Sequence, residues 1–118
     1  MLRKLTETDV DFELIVHEED IPINGNAIAS GDDEYDNEVE KELSDRLIGG
    51  DAWAWCCVEV KATFGHFSAS DFLGGCSYKD ENEFTQPGGY YDDMKEVALE
   101  ALNSELQYTY NELKALRS

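Results

Sequence analysis

Between Asp9 and His17 the chain reads DVDFELIVH, and Val10, Phe12, Leu14 and Val16 alternate against Asp9, Asp11, Glu13 and Ile15. A period of two predicts a strand with one face covered. The next stretch, EEDIPINGNAIASG, carries Pro22, Asn24-Gly25 and Ser30-Gly31, which predict a long loop. From Asp32 the period changes to four. Tyr35, Val39, Leu43 and Leu47 form a narrow apolar stripe, and nearly everything between them is charged. This is the pattern of a strongly amphipathic helix. Ser30 or Asp32 is placed to cap it, Arg46 suits its last turn, and Gly49-Gly50 predict its end.

Ala52 to Phe64, AWAWCCVEVKATF, predicts the main strand. Ala54, Cys56, Val58, Val60, Ala62 and Phe64 share one face, and Trp53, Trp55, Cys57, Glu59, Lys61 and Thr63 the other. The first face is apolar throughout, the second only at its start, as in a central strand covered on one side. Gly65-His66 predicts a tight turn, Phe67 to Phe72 the returning arm, and Gly74-Gly75 a bulge or strand end. The polar segment KDENEFTQPGG has room for one helical turn.

Tyr91 to Leu116 predicts a long helix, because Leu99, Leu102, Leu106, Thr109, Leu113 and Leu116 step by three and four. Met94, Ala98 and Ala101 widen that face near its start. Asp92 and Asp93 occupy the first turn, and Lys114 and Arg117 the last, as the helix dipole favours. Twenty-six residues span roughly 39 Å at about 1.5 Å each. A compact domain of this length is only about 26 Å across, so the end of the helix is expected to protrude or to pair with another subunit. The order strand, helix, strand, strand, helix predicts a single α+β domain over 1–118: a small antiparallel sheet with two helices packed on one face.

Composition changes the picture through charge. Twenty-seven acidic residues against nine basic ones give a net charge of −18. A field of that sign repels nucleic acid and anionic membranes and attracts basic protein surfaces. Sixteen of the acids lie in residues 1–51, against four basic residues there. Met1 to Ile15 lacks an apolar core of the secretory type, and the longest apolar run, Ala52 to Val58, is far short of a membrane span. Three cysteines, two of them adjacent, argue against a disulfide framework and for reduced thiols in a cytoplasm.

Candidate chemistry is sparse. Aligned as a calcium loop from Asp32, the sixth position is Asn37 and the twelfth Leu43, where Gly and Glu are required. Cys56 and Cys57 point to opposite faces of a strand, and Cys76, His66 and His17 are scattered, so no zinc set forms. His66, Ser68, Ser70 and Asp71 lie along one strand and do not converge as a nucleophile and its base must. No phosphate-binding glycine loop is present. No enzyme, metal or cofactor is therefore expected. Trp53 and Trp55 read either as core or as an exposed anchor for a protein partner.

The acidic helix remains as the candidate site. Asp32, Asp33, Glu34, Asp36, Glu38, Glu40, Glu42 and Asp45 fall within fourteen residues, about one carboxylate per 2.6 Å of helix. B-DNA carries about one charge per 1.7 Å of its axis, or 3.4 Å per strand. A rigid row of carboxylates at comparable density predicts a surface for a basic, nucleic-acid-binding partner.

The motifs WAWCCVEVKATF, DFLGGCSYKDENEF and GGYYDDMKEVALEALNSEL, in that order, resemble a group of small acidic proteins of tailed phages and prophages. The likeness spans residues 30–106. It implies a protein of the bacterial host cytoplasm, and by analogy an inhibitor of host DNA-directed defence, anti-restriction or anti-CRISPR. It assigns no functional residue. A second expectation is a phage accessory or assembly protein that forms a homodimer through Leu102, Leu106, Leu113 and Leu116.

Overall fold

The computed structural model describes residues 2–117; Met1 and Ser118, which fall within the expected 1–118 domain, lie outside the described residues. The elements are β1 (Asp11–Glu18), α1 (Asp33–Ile48), β2 (Cys56–Phe64), β3 (Phe67–Cys76), α2 (Glu81–Phe84) and α3 (Tyr90–Ala115), with 3-10 turns at Glu7–Asp9 and Ala52–Ala54. The three strands form one antiparallel sheet in the order β1-β2-β3, so the α+β class and the strand order follow the hydrophobic pattern. No described helix is long and apolar enough to cross a membrane.

The core is built on β2, whose alternation places Cys56, Val58, Val60 and Ala62 on one face, all buried. Phe12, Leu14 and Val16 of β1 extend that apolar face sideways. Met94, Ala98 and Leu102 of α3 cover it, all three buried on one stripe of the helix. At the β2 start the cover is completed by Phe84, 2 % exposed. Asp80 caps the single turn of α2, its side chain accepting from the Glu83 amide at 2.9 Å, and so delivers Phe84 to the core. Nothing in the polar sequence around Phe84 marks it as a core residue.

Several boundaries shift for local reasons. β2 begins at Cys56, not Ala52, because the Asp51 side chain accepts from the Trp53 amide at 3.1 Å and winds Ala52–Ala54 into a 3-10 turn. β3 runs on to Cys76 through the expected bulge: pairing jumps from Val58↔Leu73 to Cys56↔Cys76. Gly75 takes a positive φ there, and a Cβ on it would sit 3.5 Å from the Trp55 ring. Ala101 is exposed, so only Met94 and Ala98 widen the buried face of α3.

The two helices use the sheet differently. α3 lies along β2 and β3, whereas the main contact of α1 is with the Ala52–Ala54 turn at the end of the sheet. The single buried residue of α1 is Leu43. A stripe one side chain wide, flanked by carboxylates, buries too little apolar surface to hold a helix flat on a sheet. At the opposite end α3 runs past the hairpin turn, leaving Leu113 60 % and Leu116 79 % exposed. The molecule is accordingly elongated, 68 × 25 × 25 Å.

The segment before β1 is tied to α3. The Leu5 amide donates to Asn103 Oδ1 (2.8 Å), and Asn103 Nδ2 donates to the Leu5 carbonyl (3.1 Å). Leu5 itself is buried beside Ala62, Ala98 and Leu102. Asp9 accepts from Arg3 at 2.9 Å and from the amide and hydroxyl of Thr6, which lowers its pKa to about 2.

Leu102→Ala is expected to cost about 2–5 kcal/mol of stability, and Leu113→Ala less than about 0.5 kcal/mol, read by urea denaturation; equal costs would contradict this division of α3. Asp9, depressed in the fold, adds stability that is present above the ordinary carboxylate range and is lost as pH falls through about 2. Asp9→Asn should therefore narrow the stability difference between pH 4 and pH 2, as acid-denaturation curves would report.

Candidate protein-binding surface

α1 is closed at both ends by side chains. At its start the Asp32 carboxylate accepts from the Tyr35 amide at 3.2 Å, so Asp32, not Ser30, is the cap. Ser30 holds Asp36 instead. Its hydroxyl donates to that carboxylate at 2.6 Å, and its amide donates there as well. At the far end Arg46 donates to Asp51 at 2.9 Å and to the Tyr78 carbonyl at 2.7 Å. This guanidinium clamps the helix to the 3-10 turn and to the irregular segment that follows β3.

The candidate carboxylates thus divide by occupation. Asp32 serves as the cap, Asp36 holds Ser30, and Asp45 pairs with Lys41 at 2.9 Å. Asp33, Glu34, Glu38, Glu40 and Glu42 make no ion pair or side-chain hydrogen bond among the described residues. They also divide by helical phase. At about 100° per residue, Glu34, Glu38 and Glu42 form one ridge, and Asp33, Asp36 and Glu40 another, with the apolar stripe between them. The fold brings all eight onto one helix without bringing them onto one face. The first ridge is fully exposed, whereas Asp36 and Glu40 are half-buried. Along that ridge the carboxylates repeat about every 6 Å, wider than the 3.4 Å spacing of one DNA strand.

What the helix lacks in density on one face its surroundings supply. β1 ends at Glu18, opposite Cys56, and so delivers Glu18, Glu19 and Asp20 to the end of the sheet where α1 docks. Residues 18–51 hold twelve acids against Lys41 and Arg46, a net −10 of the chain's −18. The acidity is a pole, concentrated at one end of an elongated body.

No family model matches this chain, and neither a curated protein nor a solved structure matches it.

The remaining sequence candidates resolve on the sheet. His66 lies in the exposed hairpin turn, away from any partner in hydrogen-bond range among the described residues. Ser70 donates to Glu59 Oε2 at 2.5 Å, and His17 Nε2 meets Glu59 Oε1 at 2.7 Å. Those two bonds, Ser70 first, hold the Glu59 carboxyl below its ordinary value. The carboxylate sits between hydroxyl and imidazole, so the histidine does not touch the serine, and the row is a cross-strand tie. Sequence reading missed it because Ile15↔Glu59 and Glu59↔Phe72 pairing, which aligns the three side chains, is set only by the register.

Cys56 and Cys76 are buried partners across β2 and β3. Burial raises Cys56 to about 12 and Cys76 to about 11, so both are protonated thiols of low reactivity. Among the described residues no three His, Cys, Asp or Glu side chains are grouped to hold a metal ion. The expectation that Trp53 and Trp55 share a strand face is overturned by the 3-10 turn. Trp53 packs edge-on to Tyr78 and beside Phe84, on the α3 side. Trp55, 5 % exposed, donates its indole N–H to the Ile21 carbonyl at 2.7 Å, under the loop after β1. Both are packing residues, not an exposed anchor.

Arg46→Ala should cost about 1–3 kcal/mol through its lost charged hydrogen bonds. Amide hydrogen exchange should quicken across α1 and stay unchanged across Met94–Leu102; uniform quickening would show that α1 is not separately anchored.

Proposed function

We propose that this is a non-enzymatic acidic binding protein whose α1 pole engages the nucleic-acid-binding surface of a basic host protein, as a DNA mimic acting on a restriction or CRISPR-type defence complex. The observation that carries the reading is the exposed ridge Glu34, Glu38 and Glu42 at the head of a pole of net −10. Exposed Asp32, Asp33 and Asp45 lie around the ridge, while Asp36 and Glu40 add to the field from half-buried positions.

The physics of such a contact is that of DNA binding with the roles exchanged. A cleft lined with Lys and Arg releases condensed anions, as DNA releases cations, when it meets a fixed array of opposite sign. Rigidity matters, because a tail of the same charge would lose conformational entropy on docking. The cap at Asp32 and the clamp at Arg46 spare α1 that cost. The resemblance to small acidic phage proteins supports the same reading, with the contact made in a bacterial host cytoplasm.

Immobilised full-length protein should retain a basic, nucleic-acid-binding protein from nuclease-treated bacterial lysate at about 50 mM salt and release it by about 500 mM. The triple variant Glu34→Lys, Glu38→Lys, Glu42→Lys should reduce retention about tenfold or more. Retention of no such protein at low salt, or equal retention by the variant, would remove the reading.

A further inference from the structure

Helix α3 carries one stripe along its whole length, but the sheet covers only part of it. Leu102 is buried, Leu106 is half-buried, and Leu113 and Leu116 are bare. Where the helix leaves the sheet, an apolar groove of about 1070 Å³ opens between α3 and the segment before β1, lined by Leu2, Leu5, Phe64, Leu99 and Leu106. Leu2 and Phe64 are themselves exposed. An uncovered stripe and an unfilled groove therefore adjoin at one end of the molecule.

Charge selects the occupant. Two bodies of −18 repel, and this end is where the local charge adds least to that repulsion. Residues 103–118 carry Glu105 and Glu112 against Lys114 and Arg117, a net of zero, and residues 1–6 carry Arg3 and Lys4 with no acid. The groove sets Glu96 and Glu100 beside Lys4 and an Arg3 already paired with Asp9, so it carries only about one negative charge in excess. The acidic α1 pole lies at the other end of the sheet. A strongly basic partner fits the pole, whereas a neutral apolar end of mixed charges fits a surface like itself.

We propose that this end is a two-fold interface with a second copy of the chain, in which the α3 ends cross antiparallel and each enters the groove of the other. A two-fold axis beside Asn111 sets Leu106 of one copy level with Leu116 of the other, and Thr109 level with Leu113. Each helix, ending at Ala115, then stops at the level of Gln107 of its neighbour. Further overlap is blocked, because from Leu102 back the stripe is already filled by the sheet. A parallel arrangement would force two sheets into the same space on the stripe side. The antiparallel one carries each tail to Phe64 and Leu2, and it leaves both α1 poles pointing outward. It goes beyond the α1 reading and uses none of its residues.

Sedimentation equilibrium of the full chain from about 10 μM to about 1 mM tests it. The mass should climb from 13.3 kDa toward twice that, and further at about 0.5 M salt, where repulsion between the acidic bodies is screened. Leu113→Glu with Leu116→Glu, at positions already in water, should keep the circular dichroism of the native fold and weaken association at least tenfold. Phe64→Glu should do the same from the groove side, and the Glu34, Glu38, Glu42 triple Lys variant should dimerise like the parent. A single 13.3 kDa species at about 1 mM in both salts overturns the interface. A dimer indifferent to the Leu113/Leu116 pair or to Phe64→Glu overturns the exchange of tail and groove.

Discussion

Everything in this molecule hangs on one seam, the inner face of β2 against α3. Val58, Val60 and Ala62 on the strand and Met94, Ala98 and Leu102 on the helix are all buried, and the two core clusters meet along that line. Small side chains stand on both sides at Ala62 and Ala98, which lets a helix lie close to a three-stranded sheet. Leu5 and Phe84 then close the two ends of the seam, each delivered by a short segment with its own hydrogen-bonded anchor. A sheet of three strands is marginal alone, so the helix is part of the sheet's stability.

A chain of net −18 folds around such a seam only if the charge stays off it. Among the described residues no polar or charged residue is buried. The carboxylates are moved outward along the long axis instead, most densely toward α1. That distribution gives the molecule two different ends. One is rigid and anionic, held by Asp32 and Arg46; the other is neutral and apolar, with α3 running beyond its support. Under the two proposed contacts, the ends would take partners of different character at separate places on the molecule.

How much of this was legible beforehand varies with the range of the interaction. The strands, the long helix, the bulge at Gly74-Gly75 and the C-terminal overhang follow from periodicity and length, which are local. Ala101 and the Trp53–Trp55 pair did not, because the first depends on the angle at which α3 crosses the sheet and the second on a side-chain cap at Asp51. For the candidate surface, composition marked the helix and its eight carboxylates. Their division into two ridges is arithmetic on the same sequence, yet which ridge faces water is decided by the docking of Leu43 and Arg46.

By itself, then, the sequence determined the elements and the sign and location of the charge, since a repeat of two or four and a run of carboxylates are properties of neighbours along the chain. Tertiary structure alone decided that Ser70, Glu59 and His17 meet, that Phe84 is core, and that α1 and the tail of α3 stand at opposite ends. Those facts rest on strand register and on where each helix finds apolar surface to bury, and neither is encoded within any one segment.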